Sequence, residues 1–192
     1  SCFKKDILNL VDLSKYFGLE EVANFWEGVV ELNSWNQHRI SKLIVKKLFG
    51  TVSGKKISIL GFSFKANTND TRESAAINIC NDLLEEGALL FIHDPKVNSK
   101  QIESELSKKE QKEIIALGEE NFYLYEGEWC FIEESNNIFF RSDAVIILTE
   151  WEEYKHINWA KVSKQMRKPA WIFDTRSLLP REKIKEAKIN LW

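Results

Sequence analysis

The sequence predicts an α/β protein in which a long connecting helix is followed by a Rossmann-like, mostly parallel sheet with helices on both faces. Two patterns carry this prediction. Residues 19–49 keep a helical spacing of apolar side chains without any proline. From residue 56 onward, short apolar runs alternate with helical segments. Such alternation is typical of βαβ units joined by right-handed crossovers, with helices covering both faces of the sheet.

Two helices are predicted before the sheet. Residues 3–17 carry a helical apolar stripe, and Gly18 is a natural stop. The second helix, 19–49, would be about 45 Å long at about 1.5 Å per residue, which is longer than a small domain is wide. Such a helix usually bridges domains or subunits, so we expect a homodimer or a larger assembly. The aromatic side chains along it are interpreted as core packing: Phe25, Trp26 and Trp35.

A second unit follows the predicted hinge at 51–55, so we expect two domains, 1–50 and 51–192. Gly, Pro and polar clusters separate its elements. In chain order the patterns predict a strand at 57–61, a helix at 75–84, a strand at 88–92, a charged helix at 100–119, an extra strand or ordered loop within 122–132, a strand at 144–148, a helix at 157–166, a strand at 170–173, a helix at 180–187 and a last segment at 189–192.

Composition narrows the class of protein. The 192 residues are 44% hydrophobic and 29% charged, with a formal net charge of −2, which leaves no electrostatic basis for binding nucleic acid or an anionic membrane. Three widely spaced cysteines without metal-ligand spacing predict free thiols, no metal and a cytoplasmic location. No run of about 18 apolar residues occurs. Because the chain starts at Ser1 without Met, we expect a piece of a longer polypeptide.

Basic residues follow two of the predicted strands. Lys65 comes after the strand that ends at Gly61, and Arg176 comes after the strand at 170–173. Because loops at the carboxyl ends of parallel strands line the ligand crevice, these cations could bind a diphosphate or an acidic sugar. The plainer interpretation is that they are solvated surface charges.

A dinucleotide is not expected in the usual place on this sheet. Gly61 stands alone, without the G-x-G-x-x-G pattern that follows the first strand of dinucleotide-binding folds. Asp94 ends the next strand and could mimic the ribose-binding acid of an NAD site, but it lies further from Gly61 than the usual interval of about 20 residues.

The first turn of the first helix carries a second candidate site. Cys2, Lys5 and Asp6 stand at i, i+3 and i+4, which places them on one helix face. The positive end of the helix dipole and a nearby ammonium both favour the nucleophilic thiolate. The alternative is a terminal thiol near incidental charges. Cys80, in contrast, lies on the apolar face of its helix and is expected in the core.

Five motifs occur together and in order: SCFKKDILNL from Ser1, GFSFKANTNDTRES from Gly61, HDPKV from His93, LTEW from Leu148 and FDTR from Phe173. This set resembles the UDP-glucose/GDP-mannose dehydrogenase family, from its catalytic-cysteine motif onward. The Lys-Lys-Asp after Cys2-Phe3, the aromatic Phe64 and the long 98–141 segment look most like the UDP-glucose branch.

The resemblance implies an oxidation of UDP-glucose to UDP-glucuronate with two NAD. In it, Cys2 would capture the aldehyde-level carbon as a thiohemiacetal and then carry a thioester that water hydrolyses. Lys5 would stabilise the developing negative charge on oxygen, and Asp6 would help to activate water. The first domain would then be the end of a central helical dimerisation domain, and the second would bind the UDP-sugar.

The family's ligand-binding residues can be assigned to positions within these motifs. Implied contacts to the sugar nucleotide are Phe3, Phe64, Lys65 and Arg176, and implied contacts to NAD are Cys2, Lys5 and Arg72. Ala66 departs from the second lysine common in this loop. Since a glycine-rich NAD-binding domain is absent from these 192 residues, we expect them to bind UDP-sugar without turnover. The alternatives are a non-catalytic nucleotide-sugar-binding module, a dehydrogenase of GDP-mannose or a UDP-N-acetyl-hexosamine, and a structural subunit without a ligand.

Overall fold

A computed structural model gives the fold of the chain. The structure describes residues 2–111, 127–135 and 138–192, with side chains from Lys4 onward. The helices are α1 (Cys2–Tyr16), α2 (Glu20–Lys47), α3 (Ala75–Glu85), α4 (Ser99–Glu105), α5 (Glu152–Lys155), α6 (Trp159–Gln165) and α7 (Arg181–Glu186). The strands are β1 (Lys56–Leu60), β2 (Leu89–His93), β3 (Glu128–Phe131), β4 (Ala144–Ile147), β5 (Trp171–Asp174) and β6 (Asn190–Leu191).

The strands of the described residues form a single six-stranded sheet in the order β3-β2-β1-β4-β5-β6. Every neighbouring pair is parallel. The strand order reverses between β1 and β4, and Ile57 of β1 pairs with β2 on one side and with β4 on the other. Ligands of doubly wound sheets bind beyond the carboxyl ends of the strands at such a point. The predicted α/β class and parallel sheet are therefore confirmed.

Each face of the sheet has its own hydrophobic core. Ile57 and Ile59 of β1 pack in one cluster with Ile79 of α3, whereas Leu60 belongs to the opposite cluster with Tyr154 of α5. Side chains alternate between faces along a strand, so strands buried on both sides read as continuous apolar runs. This double burial explains why four of the strands could be located from short apolar runs alone.

The amino-terminal helices form a hairpin. Gly18, with φ of 70°, closes α1, and the Leu19 N–H donates to the Ser14 carbonyl at 2.8 Å. The 28 residues of α2 span about 42 Å, as predicted for this segment. Helix α1 packs on α2, and α2 packs in turn on α3 of the sheet unit. None of the helices in the described ranges is both long and apolar enough to cross a membrane.

The charged segment 100–119 was predicted to be one helix, and this is wrong for its middle. Helix α4 ends at Glu105, and 112–119 lies outside the described residues. Past the helix, the Trp129 indole donates to the Lys108 carbonyl at 2.7 Å and the Gln111 N–H donates to the Trp129 carbonyl at 2.8 Å. These bonds to β3 replace helical ones, so tertiary contacts override the helical propensity of the charged run.

The segment 122–132, predicted as an extra strand or an ordered loop, contains the strand β3, while 122–126 lies outside the described residues. Two features of the next helices differ from the sequence prediction. The helix expected from Ile157 starts two residues later because the Asn158 side chain caps it, accepting from the Lys161 N–H at 3.0 Å. Helix α5 was not predicted, since four residues are too few to show a helical period.

Candidate functional site

The loop between β1 and α3 is held against the loop after β4. Gly61 has φ of 91°, and a Cβ built on it would lie 2.4 Å from the Thr149 Cβ, so only glycine fits this approach. The Thr149 hydroxyl donates to the Ser63 carbonyl at 2.7 Å. The Phe64 N–H donates to the Asp70 carbonyl at 2.8 Å, which closes the loop on itself. The loop is thereby fixed on both sides of Phe64.

A cavity of about 780 Å³ lies where these loops face the helical hairpin. Its described lining comes from five parts of the chain. Helix α1 gives Lys4 and Ile7; helix α2 gives Val29, Val30, Leu32, Asn33, Trp35, Asn36 and Gln37; the β1–α3 region gives Phe64, Lys65, Glu73 and Ala75; and the loops after β4 and β5 give Glu150 and Arg176. The structure thus brings the predicted Phe64, Lys65 and Arg176 into one cavity.

Arg176 is positioned by the loop after β4. Its Nε donates to the Leu148 carbonyl at 2.6 Å and lies 3.4 Å from a carboxylate oxygen of Glu150. The Arg176 side chain is 32% exposed, so its charge is partly shielded from water. An arginine held in this way can present its terminal nitrogens to a phosphate. Glu150 lies within a motif that the sequence analysis noted but did not assign a role.

Lys4, rather than Lys5, is the lysine of α1 that lines the cavity. Its Nζ lies 2.7 Å from the Glu73 carboxylate, which joins α1 to the β1–α3 loop. Sequence reasoning missed both residues. The adjacent lysine looked equivalent, and Glu73 has φ of 60°, a conformation that the pattern TRES does not reveal. The described cavity lining therefore holds three cations and two carboxylates.

The predicted catalytic group is only partly described. Helix α1 begins at Cys2, so the expected helical first turn is present, but the side chains of Cys2 and Phe3 lie outside the described part. Lys5 and Asp6 are exposed on α1 and do not line the cavity. The structure therefore leaves the roles assigned to these four residues as predictions.

Arg72, predicted to contact NAD, lies on the exposed side of the loop. Its guanidinium makes two 2.9 Å hydrogen bonds to the carboxylate of Asp70. These bonds hold the pKa of Asp70 down at about 2. Arg72 does not line the cavity, so the geometry does not bring it together with Lys65 and Arg176.

The middle of α2 supplies residues that the sequence analysis did not single out. Asn33, Asn36 and Gln37 line the cavity with amide groups, which can bond to sugar hydroxyls or a base. Trp35 also lines it and is 58% exposed, and Phe25 is 64% exposed. The core-packing interpretation is therefore wrong for these two aromatic residues. The amide cluster could have been found in the sequence, because Asn33, Asn36 and Gln37 lie on one helix face within about one and a half turns.

The remaining cysteines are structural. Cys80 and Cys130 are free and completely buried, which confirms the core position predicted for Cys80. Burial raises the pKa of the Cys80 thiol far above its usual range, and that of Cys130 to about 12. Both stay protonated at neutral pH and so are poor nucleophiles.

A dinucleotide does not fit the first turn of this sheet. The N–H groups of Phe62 and Ser63, which follow β1, both donate to the carboxylate of Asp94 and not outward to a pyrophosphate. Asp94 is thereby engaged and buried, so it does not offer a ribose-binding oxygen. The residues at the carboxyl end of β1 therefore do not provide a binding site for NAD.

The sequence also matches known proteins. A sequence profile described as "UDP-glucose/GDP-mannose dehydrogenase family, UDP binding domain" matches residues 58–181. The chain is 40% identical over 186 residues to UDP-glucose 6-dehydrogenase of Drosophila melanogaster, covering 97% of this chain and 38% of that protein. It is 39% identical over 191 residues to UDP-glucose 6-dehydrogenase 4 of Oryza sativa subsp. japonica, covering 97% and 39%.

A solved structure agrees with these matches. The UDP-glucose dehydrogenase of the hyperthermophilic archaeon Pyrobaculum islandicum superposes with a TM-score of 0.72 at 25% identity, covering 100% of this chain and 37% of that one. The chain thus spans less than two fifths of the length of the relatives it matches. With the doubly wound sheet, the profile match over 58–181 shows that this chain belongs to the UDP-glucose/GDP-mannose dehydrogenase family, of which it carries the UDP binding domain.

Proposed function

We propose that the cavity binds the UDP portion of a nucleotide sugar. The observation that carries this proposal is the convergence of Lys65 and Arg176, from the ends of two different strands, on one cavity at the switch point of the sheet. A diphosphate offers both cations an acceptor of opposite charge. The amides of α2 and the ring of Phe64 supply the polar and aromatic contacts that a uracil and a sugar need.

For the complete protein we propose the reaction of a UDP-glucose 6-dehydrogenase, the oxidation of UDP-glucose to UDP-glucuronate. The identity of 40% to such an enzyme supports this choice. Cys2 would be the nucleophile at the start of α1, and Phe3 would contact the substrate. Lys5 would stabilise the negative charge on oxygen, and Asp6 would help to activate the attacking water. NAD, the oxidant, would be held mainly by residues outside this sheet. Cys2, Lys5 and Arg72 would contact it from this side of the cleft.

The 192 residues alone are proposed to bind without catalysing. Hydride transfer needs the nicotinamide fixed against the sugar carbon, and the sheet described here does not fit the dinucleotide. With one wall of the cleft formed by this chain, we expect a weak dissociation constant for UDP, roughly 0.1 to 1 mM. A non-catalytic nucleotide-sugar-binding module would show the same binding, so activity of the complete protein separates the two.

Calorimetry tests this proposal. UDP and UDP-glucose are titrated into the chain, with GDP-mannose and a UDP-N-acetyl-hexosamine as competing candidates, and absorbance at the NADH band is followed after NAD is added. We expect heat from UDP and UDP-glucose and no NADH. NADH formation by the isolated chain would contradict the division of the active site. A lack of UDP binding would contradict the cavity assignment and leave a structural subunit, while stronger binding of another nucleotide sugar would reassign the substrate.

Assembly and location are also proposed. We take residues 1–50 as the end of a central helical domain that forms a homodimer through α1 and α2, and 51–192 as the UDP-sugar-binding domain. Large apolar side chains exposed on the hairpin of α1 and α2 support this, among them Tyr16, Phe17 and Phe25. A cytoplasmic location is supported by the buried, unpaired Cys80 and Cys130.

A further inference from the structure

The side chain of Asp94 is buried and bonded to both loops that line the candidate site. It follows the last residue of β2, and only 4% of its surface is exposed. A carboxylate removed from water in this way is costly unless hydrogen bonds replace its hydration. Its donors in the structure are four backbone N–H groups and one indole N–H, and they belong to three separate segments of the chain.

One oxygen of Asp94 fixes the β1–α3 loop. Its Oδ2 accepts from the Phe62 N–H at 2.7 Å and from the Ser63 N–H at 3.0 Å. The next two residues along the chain, Phe64 and Lys65, are those that line the cavity. The direction in which they leave the sheet is therefore set by the two amides that Asp94 holds.

The same oxygen also fixes the loop after β4. The Trp151 indole Nε1 donates to Oδ2 at 3.2 Å, and the residue before it, Glu150, lines the cavity beside Arg176. The second oxygen, Oδ1, accepts from the N–H groups of Lys96 at 2.8 Å and Val97 at 2.9 Å, which anchors the carboxylate to its own turn. Asp94 itself lies outside the described lining of the cavity.

We propose that Asp94 is a positioning residue for the nucleotide-sugar site: by holding Phe62, Ser63 and Trp151 on one carboxylate, it sets the relative placement of the two ligand-binding loops. This inference rests on the proposed function, because affinity for UDP is the property that it governs. An asparagine cannot substitute for Asp94, since its amide NH₂ is a donor and would face N–H groups at one of the two oxygen positions.

The test compares Asp94→Asn with a matched control, Asp143→Asn. Asp143 is also mostly buried and accepts a backbone N–H, that of Lys56, at 2.9 Å, but it precedes β4 and so lies at the opposite end of the sheet. Both changes remove a carboxylate acceptor and should lower Tm. We expect only Asp94→Asn to weaken UDP binding, by about tenfold or more, as measured by calorimetry well below Tm.

Amide hydrogen exchange gives a readout that does not depend on the ligand. We expect Asp94→Asn to speed exchange at Phe62 and Ser63, and Asp143→Asn to leave those amides protected. If Asp94→Asn does not fold, Trp151→Phe removes a single donor and should weaken UDP binding by a few-fold.

The outcomes separate this inference from the proposed function. Unchanged UDP affinity in folded Asp94→Asn, or an equal loss of affinity in both aspartate variants, would overturn the inference, and so would unchanged exchange at Phe62 and Ser63. If the unmodified chain bound no UDP, the proposed function would fail while the exchange result still decided whether Asp94 orders the loop.

Discussion

Arg176 and Lys65 line the same cavity, and both residues are exposed to solvent. The Arg176 side chain is nevertheless held in place, because its Nε donates to the Leu148 carbonyl at 2.6 Å. A guanidinium that is already positioned loses less conformational freedom on binding, and its planar fork can make two hydrogen bonds to a phosphate, whereas an ammonium acts as a point charge. The contribution of each residue to diphosphate binding should follow this difference.

We therefore expect Arg176→Ala to weaken UDP binding more than Lys65→Ala does. A loss of about 1.5 to 3 kcal/mol is expected for Arg176→Ala, and about 0.5 to 1.5 kcal/mol for the exposed lysine. Competition against a fluorescent uridine nucleotide measures both. Lys161→Ala, at an exposed lysine of α6, is the control and should leave binding unchanged. Equal effects of all three substitutions would show that overall charge, and not the cavity, governs binding.

Glu150 should act in the opposite direction to its neighbour. Its carboxylate lies 3.4 Å from the Arg176 Nε and faces the cavity, where it would repel a phosphate and compete for the guanidinium. Glu150→Gln should therefore bind UDP a few-fold more tightly, while Glu186→Gln, at an exposed site on α7, should not change it. If Glu150 instead accepts from a sugar hydroxyl, Glu150→Gln would bind UDP-glucose more weakly than it binds UDP.

Single residues show where the sequence was informative about the site. Lys65 and Arg176 could be placed because they follow apolar strands, and the loops after strands converge at one edge of a sheet. Phe64 was assigned through the motif that resembles the dehydrogenase family. Lys4 and Glu150 were missed because their roles depend on contacts between elements far apart in sequence, with Glu73 and with Arg176. Local patterns carry no information on such pairings.

At the scale of elements, strands buried on both faces were located to within one or two residues. Helix ends were less predictable, because they depend on individual bonds such as the Asn158 cap of α6. The charged run after Asn98 was misjudged because α4 carries a capping box at its start but ends where bonds to β3 begin. The periodic spacing of apolar residues indicates which side chains are buried. An exposed segment has few buried side chains, so its helix ends cannot be placed from this pattern.

Lys56, the first residue of β1, makes stability depend on pH. Burial lowers its pKa from 10.5 to about 8, and its Nζ lies 3.8 Å from the centre of the Phe91 ring. Because the folded pKa is below the unfolded one, the unfolded chain binds more protons between about pH 8 and 10.5. The Lys56 contribution to the free energy of unfolding should therefore rise across that window and fall as the pH drops through 8.

Lys56→Met tests this linkage. Relative to the unmodified chain, the variant should gain stability at pH 7, and the gain should shrink as the pH rises from about 8 to 10.5. Taking the difference between the two chains cancels the groups that titrate independently of Lys56, such as the buried Cys80 thiol, whereas the coupled Cys130 thiol contributes to the difference. Urea unfolding at several pH values measures it, with Lys55→Met as the control. A pH-independent difference would show that Lys56 keeps its proton equally well in both states.

At the scale of the whole molecule, the sheet unit buries most of its large apolar side chains, whereas the helical hairpin leaves many of them exposed. Exposed apolar side chains of the hairpin that do not line the cavity include Leu13, Tyr16, Phe17, Leu19, Val22 and Phe25. With α1 about 22 Å and α2 about 42 Å long, a strip about 10 Å wide on both helices offers on the order of 600 Å². This approaches the roughly 800 Å² per partner of a stable protein interface.

A second copy of the chain is the proposed occupant of that surface, so sedimentation at tens of micromolar should show a dimer or a larger species. Phe25→Ser should shift the protein toward monomer, because Phe25 is 64% exposed on α2 and its removal costs the monomer little packing. Phe140→Ser is a matched control, since that phenylalanine is 63% exposed but lies outside both helices. A monomer in the unmodified chain, or equal dissociation by both substitutions, would argue that another partner covers the hairpin.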